Sequence, residues 1–340
     1  MEKILSQFGL PADSFSVNPF GSGLINSTWL IENRERGEKY ILQKINRQVF
    51  KHPEDIAFNI TLIDEYLKDQ FPDYLFVSPR KTIGGDGLVN IAGEFYRMFP
   101  FISNSHTIDV VEKPQQAYEA AKQFARFTKL LVGFDATRLK ITLPDFHDLS
   151  LRYQQFERIL ETGNGERIRD SLELISFIKK NKGIVEQYED RKANMAIRCT
   201  HHDTKISNLL FNEEDKGICV IDLDTLMPGY FISDVGDMMR TYLCPVSEEE
   251  KDFSKIGIRR EFYDAIVSGY LSEMGAELTK TEKGFFKYAG EFMIYMQALR
   301  FLTDHLNDDV YYGAKYEGHN FVRAGNQISL LQRLIEFNPG

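Results

Sequence analysis

The chain has 340 residues, 43% hydrophobic and 27% charged, the composition of a folded protein of about two domains; this excludes collagenous, disordered and low-complexity chains. Fifty acidic against 41 basic side chains leave a net charge of −9, which argues against a broad nucleic-acid footprint, so no nucleic-acid partner is expected. There is no apolar run of the roughly 18 residues a membrane span needs, no leader-like N-terminus and no C-x-x-C pair among Cys199, Cys219 and Cys244, so a cytoplasmic protein without membrane contact is expected.

The first hundred residues are strand-rich. Runs over 15–19 and 25–32 flank Gly21-Ser22-Gly23 and predict two strands joined by a glycine turn. A third strand is predicted over 39–45. Ile56, Ile60, Ile63 and Leu67 then repeat at helical spacing over 53–70, with Pro53 in the first turn, where its missing N–H is harmless. Strands over 87–91 and 94–102 complete the region. From residue 113 the pattern is helical. The helix over 113–131 carries Ala117, Ala121, Phe124, Phe127, Leu130 and Leu131 on one face. Helices over 148–160 and 166–188 follow, then strands over 197–200, 209–211 and 219–223. Helices resume over 233–242, 259–274, 283–306 and 326–337. A hinge near 99–104 divides a small lobe, 1–101, from a large one, 102–340, without internal repeats.

The most informative stretch is His201-His202-Asp203-Thr204-Lys205-Ile206-Ser207-Asn208, followed by Val220-Ile221-Asp222-Leu223-Asp224. This spacing suits phosphoryl transfer. An Asp opening a loop orients a hydroxyl nucleophile and accepts its proton. An Asn five positions on, and an Asp ending the next strand, hold Mg²⁺ through hard oxygen ligands. The His202-Asp203 doublet also admits a metal-dependent phosphohydrolase. Such domains are all-helical, however, and here the doublet opens a strand-rich hairpin in a chain with only seven His. Gly21-Ser22-Gly23 adds a turn whose backbone N–H groups suit nucleotide phosphates, with Asn26 where a protein-kinase loop carries its third Gly.

Together these segments resemble the aminoglycoside phosphotransferase and choline kinase superfamily of small-molecule kinases. The match runs through residues 21–28, 40–46, 96–102, 202–208, 221–229, 234–237 and 300–306, with Tyr311-Tyr312 and His319-Asn320 after them. The stretches 222–229 and 300–306 are similar to those of superfamily members that phosphorylate N-acetylhexosamines at the anomeric hydroxyl. The resemblance implies a two-lobed, protein-kinase-like α+β fold, with an antiparallel-sheet N-lobe and a mainly helical C-lobe. It implies ATP and Mg²⁺ as cofactors and a sugar as the small-molecule partner, in a monomer or weak homodimer. Asp203 would be the base, and Lys205 would neutralise charge on the transferring group. Asn208 and Asp222 would hold Mg²⁺, with Asp224 as helper. Gly21, Ser22 and Gly23 would cover the phosphates, and Met98, Phe99 and Phe101 would form the adenine hinge.

One position departs from the family. The third strand should present a Lys to the α- and β-phosphates, but the frame Tyr40-Ile41-Leu42 puts Gln43 there, with Lys44 facing the other side. Gln43 is the expected contact, and Glu65 is a candidate for the helix acid. Arg300 and Tyr311 are expected at the acceptor, with Asp304, four residues from Arg300, either joining them or forming a surface ion pair. Asp234 is expected to brace the catalytic loop. Other hydroxyl acceptors (another sugar, choline-like, homoserine-like, aminoglycoside) and a non-catalytic nucleotide-binding regulator stay open.

Overall fold

A computed structural model describes residues 1–21, 23 and 25–339. The N-terminal elements are α1 (Glu2–Gln7), β1 (Ser16–Pro19), β2 (Ser27–Asn33), β3 (Glu38–Lys44), α2 (Pro53–Gln70), β4 (Val89–Ile91), β5 (Glu94–Pro100) and β6 (Ser105–His106). Helices α3 (Pro114–Leu130), α4 (Leu149–Thr162), α5 (Gly165–Asp170), α6 (Leu172–Lys180) and α7 (Gly183–Lys192) follow. After them come β7 (Arg198–Thr200), β8 (Leu209–Asn212), β9 (Gly217–Val220), α8 (Phe231–Tyr242), α9 (Arg260–Met274), α10 (Lys280–Lys283), α11 (Phe286–Leu306) and α12 (His319–Glu336). The chain forms two units. The first takes 1–107, 133–144 and 209–228, and the second takes 108–132, 145–208 and 229–340. The hairpin of β8 and β9 therefore belongs with the N-terminal sheet, across the boundary read from the sequence.

In the first unit five antiparallel strands run in the order β1-β2-β3-β5-β4. Ile31, Leu42 and Met98 point to one face, where α1 covers them with Ile4, Leu5 and Phe8. Side chains alternate along a strand, so Gln43 and Arg97, paired in register, point to the opposite face. Helix α2 is anchored by Asn59, fully buried, which donates to the carbonyls of Lys140 (2.8 Å) and Leu226 (2.9 Å). A second sheet, β6-β8-β9, carries the segment that leads into Asp222.

The second unit is helical. Helix α11 has buried residues on every side, the pattern of a central core helix, and packs against α12, α8 and α4, while α3 packs on α9. The helix expected over 166–188 is three helices, broken at Ser171 and near Asn181. Helix α12 starts at His319 rather than 326, because its first turns bury polar residues, His319, Asn320, Asn326 and Gln327, that hide the apolar period. No described helix is long and apolar enough to cross a membrane.

Candidate active site

The loop after β7 brings Asp203, Lys205 and Asn208 together in the second unit. Asn208 Nδ2 donates to the Asp203 carboxylate (3.0 Å) and to its carbonyl (2.9 Å), and Lys205 Nζ lies 3.1 Å from Asp203 Oδ1. Burial works to raise the Asp203 carboxyl. The Lys205 and His201 charges and the hydrogen bonds from Lys205 and Asn208 outweigh it, and hold the group below its ordinary value. Asp203 is therefore ionised at neutral pH. The preceding residue, His202, has φ 66°, a left-handed conformation rare for a side chain of this size and kept where the surroundings enforce it.

Helix α8 enforces it. Asp234 accepts from the backbone N–H groups of His201 (3.2 Å) and His202 (2.7 Å). Asp237 accepts from Thr204 N (2.9 Å) and from Arg240, which also pairs with Glu248. Thr204 returns its hydroxyl to the Asp234 carbonyl (2.7 Å), and Tyr242 donates its phenol to the Thr204 carbonyl. Burial pushes Asp234 up to about 7, and the two N–H bonds oppose that shift. Asp234 braces the loop, as the sequence suggested. Gly229 has a steric reason: a Cβ there would stand 2.4 Å from His202 Nε2.

Beside this loop is a cationic, aromatic cluster. His147 stacks on Phe146 (centroids 4.3 Å apart) and lies 5.3 Å from the His202 ring. The Arg300 guanidinium is 5.7 Å from the rings of Phe146 and Tyr311 and 5.4 Å from that of Tyr312, and Nη2 reaches Tyr311 Oη at 3.4 Å. Burial, then the charges of His202, Arg300, Arg240 and Arg152, hold His147 well below its ordinary value, so it is neutral. Tyr311 is 71% exposed, open to a ligand. Asp304, expected either at the acceptor or in a surface ion pair with Arg300, is instead committed to protein partners. It is buried, and its carboxylate accepts from Tyr311 N (2.7 Å), Tyr312 N (2.9 Å) and Asn320 Nδ2 (3.1 Å). It shapes the loop that presents the tyrosines. Phe146, His147 and Arg152 were not singled out by sequence, since no motif links them to residues 150 positions away.

The first unit holds the other group of expected residues. Gly21 has φ 78°, as a glycine turn requires, while Ser22 lies outside the described residues. Phe20 and Phe101 meet edge to face at 6.2 Å beside the Gly21 turn. The hinge expectation needs correction. Met98 is fully buried and its carbonyl already accepts from Arg80 N (2.6 Å), while Phe101 N donates to Lys39 O (3.2 Å). Phe99 lies under the Arg97 guanidinium at 5.0 Å. Asp222 ends the β9 segment at φ 59°, again left-handed. Asp224 is corrected too. It is buried, its Oδ1 lies 2.5 Å from Arg97 Nη1, and its Oδ2 accepts from Asn26 Nδ2 (2.7 Å), so it is committed to protein partners rather than to a metal. Lys44 pairs with Glu94 at 3.0 Å, and Glu65 is exposed on α2.

A strand-rich unit with a glycine turn and a helical unit with an Asp-Lys-Asn loop define a kinase-like phosphotransferase. Residues 16–276 match the phosphotransferase enzyme family (APH), and the chain belongs to that family. Its fold is similar to that of an aminoglycoside phosphotransferase from Alicyclobacillus acidocaldarius, at 13% identity and a TM-score of 0.66, covering 98% of this chain and 94% of that one. A microcompartment-associated aminopropanol kinase (14%, TM-score 0.63, 98% and 96%) and a choline kinase from Cryptosporidium parvum (13%, 0.60, 98% and 95%) share it.

Proposed function

We propose that this protein is an ATP- and Mg²⁺-dependent kinase that transfers the γ-phosphoryl group to the anomeric hydroxyl of an N-acetylhexosamine. The observation that carries the reading is the surroundings of Arg300. A guanidinium facing three aromatic rings beside the Asp203 loop disfavours cationic acceptors and suits a neutral polyol, with rings for the sugar face and N–H donors for its oxygens. The similarity of residues 222–229 and 300–306 to hexosamine kinases points to the N-acetylated sugar. The anomeric hydroxyl is more acidic than an ordinary alcohol, because the ring oxygen withdraws electrons. It thus suits Asp203, whose depressed pKa makes it a weak base that accepts the proton late in a loose phosphoryl transfer.

Asn208 commits Nδ2 to Asp203, which leaves Oδ1, a hard oxygen, for a cation, and Asp222 is the second residue proposed for Mg²⁺. When bound, the metal would neutralise charge on the phosphates. Lys205, half-exposed and held protonated mainly by Asp203, supplies a second positive charge near the transferring group.

The test incubates the purified protein with ATP, Mg²⁺ and GlcNAc, GalNAc, glucose, choline or kanamycin, and locates any added phosphoryl group by mass spectrometry and NMR. A hexosamine 1-phosphate is the expected product, and phosphorylation of choline or kanamycin alone would reject the sugar reading. Asp203→Asn should lower kcat by roughly a thousandfold with nucleotide affinity unchanged. Full activity in that variant removes Asp203 as base.

A further inference from the structure

Asn26 stands at the base of the glycine turn, where a protein-kinase loop carries its third Gly, and both ends of its carboxamide are engaged. Its Oδ1 accepts from Asn46 N at 3.0 Å, and its Nδ2 donates to Asp224 Oδ2 at 2.7 Å. The Asn46 N–H can only donate, so it fixes which end of the amide faces Asp224. The other Asp224 oxygen, Oδ1, lies 2.5 Å from Arg97 Nη1, and both side chains are only 3% exposed. Arg97 Nε and Nη2 in turn donate to Gln43 Oε1, at 3.1 and 2.9 Å. The acid and the guanidinium cancel each other, so this cluster has no charge to spare for a ligand. It holds the Asp224 carboxylate at a fixed point, and Asn26 is attached to that point.

The contact joins two turns. Asp224 belongs to the turn Leu223–Thr225 that follows Asp222. Asp222 is exposed and has φ 59°, a left-handed conformation that a non-glycine residue keeps where its surroundings impose it. The holding contacts lie just beyond it: Asp224 is gripped by Asn26 and Arg97, and the Leu226 carbonyl accepts from Asn59 of α2 (2.9 Å). On the other side of the contact, Gly21 and Gly23 are exposed, and a Cβ at either would meet no described atom beyond its chain neighbours within 4 Å. The glycine turn is therefore placed from its base, where Phe20 N donates to Thr28 O (3.0 Å) and Asn26 reaches Asp224.

We propose that Asn26 is a positioning residue for metal binding: by tying the base of the glycine turn to Asp224, it presets the Asp222 carboxylate relative to that turn, so that Mg²⁺ and the nucleotide bind cooperatively. The proposal rests on the ATP and Mg²⁺ reading above. It gives the departure from glycine at 26 a purpose, since a glycine there would leave the buried Asp224 Oδ2 without this donor and the two turns without this link.

Calorimetric titration with ADP, in EDTA and in Mg²⁺, reads the proposal without turnover. In the wild-type protein Mg²⁺ should tighten ADP binding. Asn26→Ala should bind ADP in EDTA within about twofold of wild type, whereas the tightening by Mg²⁺ should shrink by about fivefold or more. A merely structural role would lower both affinities together, along with the thermal midpoint, and leave their ratio unchanged. An unchanged ratio, at whatever affinity, overturns the proposal. Asn26→Asp sets a second carboxylate against Asp224 and should lose the tightening too. Combining it with Asp224→Asn exchanges acid and amide: the amide can donate to the acid, its oxygen still faces Arg97, and the net charge is kept. This double variant should regain the Mg²⁺ effect to within about threefold of wild type. A folded double variant no better than Asn26→Asp overturns the assignment to this contact. Wild-type protein that binds ADP equally well with and without Mg²⁺ overturns the metal reading as well, and wild-type protein that binds no ADP overturns the nucleotide reading.

Discussion

Arg300 and Asp304 lie four residues apart on α11, a spacing that puts two side chains on one helix face. The structure gives them different work: Arg300 faces aromatic rings, and Asp304 holds the backbone that carries two of those rings. Asp304→Ala leaves the N–H groups of Tyr311 and Tyr312 and the buried Asn320 amide without this acceptor. The expected loss is about 3 kcal/mol of stability, read by denaturant unfolding. In the surviving folded fraction, acceptor KM should rise while nucleotide KM stays constant; an equal rise in both would assign Asp304 to general stability alone. At this scale the sequence reveals residue types but not partners. Asp203, Lys205 and Asn208 are legible because they fall within six residues of a single loop. Arg97 is not, because its meaning depends on Gln43 and Asp224, brought to it by strand register and by a turn more than a hundred residues away.

Helix α8 shows how one element can set the shape of a loop distant in sequence. Its first turns present Asp234 and Asp237 to the backbone N–H groups of His201, His202 and Thr204, and so hold residue 202 at positive φ. This bracing has a pH signature. With Asp234 raised to about 7, the folded state keeps a proton that the unfolded state loses near pH 4. Between those values the folded state binds more protons, so the contribution of Asp234 to stability is fully present below about pH 4 and is lost as pH rises toward 7. Its size is at most about 4 kcal/mol. Urea unfolding of wild type and Asp234→Asn at about pH 5 and pH 8 checks it: the difference between the two proteins should change with pH, whereas a pH-independent difference rejects the raised pKa. Long elements such as α2, α3 and α9 were legible because apolar periodicity over several turns is a strong signal. Helix α1, six residues long, was not, and the polar start of α12 was masked by buried side chains whose partners lie in other elements.

For the molecule as a whole, two electrostatic effects oppose each other. The net charge of −9 attracts cations at long range, whereas the guanidinium of Arg300, with that of Arg152 near it, repels them locally. Exposed surface charge is screened over about 8–10 Å at physiological salt, while a partly enclosed guanidinium acts at contact distance and is screened far less. If Arg300 lines the acceptor site, as proposed, the local effect outweighs the net charge there. This is the level at which the sequence was weakest: an acidic composition permits a cationic acceptor, and only the placement of Arg300 among Phe146, Tyr311 and Tyr312 argues against one. The expected outcome is that KM for a neutral sugar stays constant between about 0.05 and 0.5 M salt, and that kanamycin and choline do not compete with it at about 0.15 M. Competitive inhibition by kanamycin that persists in high salt would require an acidic subsite and would move the acceptor assignment to the amino-alcohol and aminoglycoside kinases of the same family.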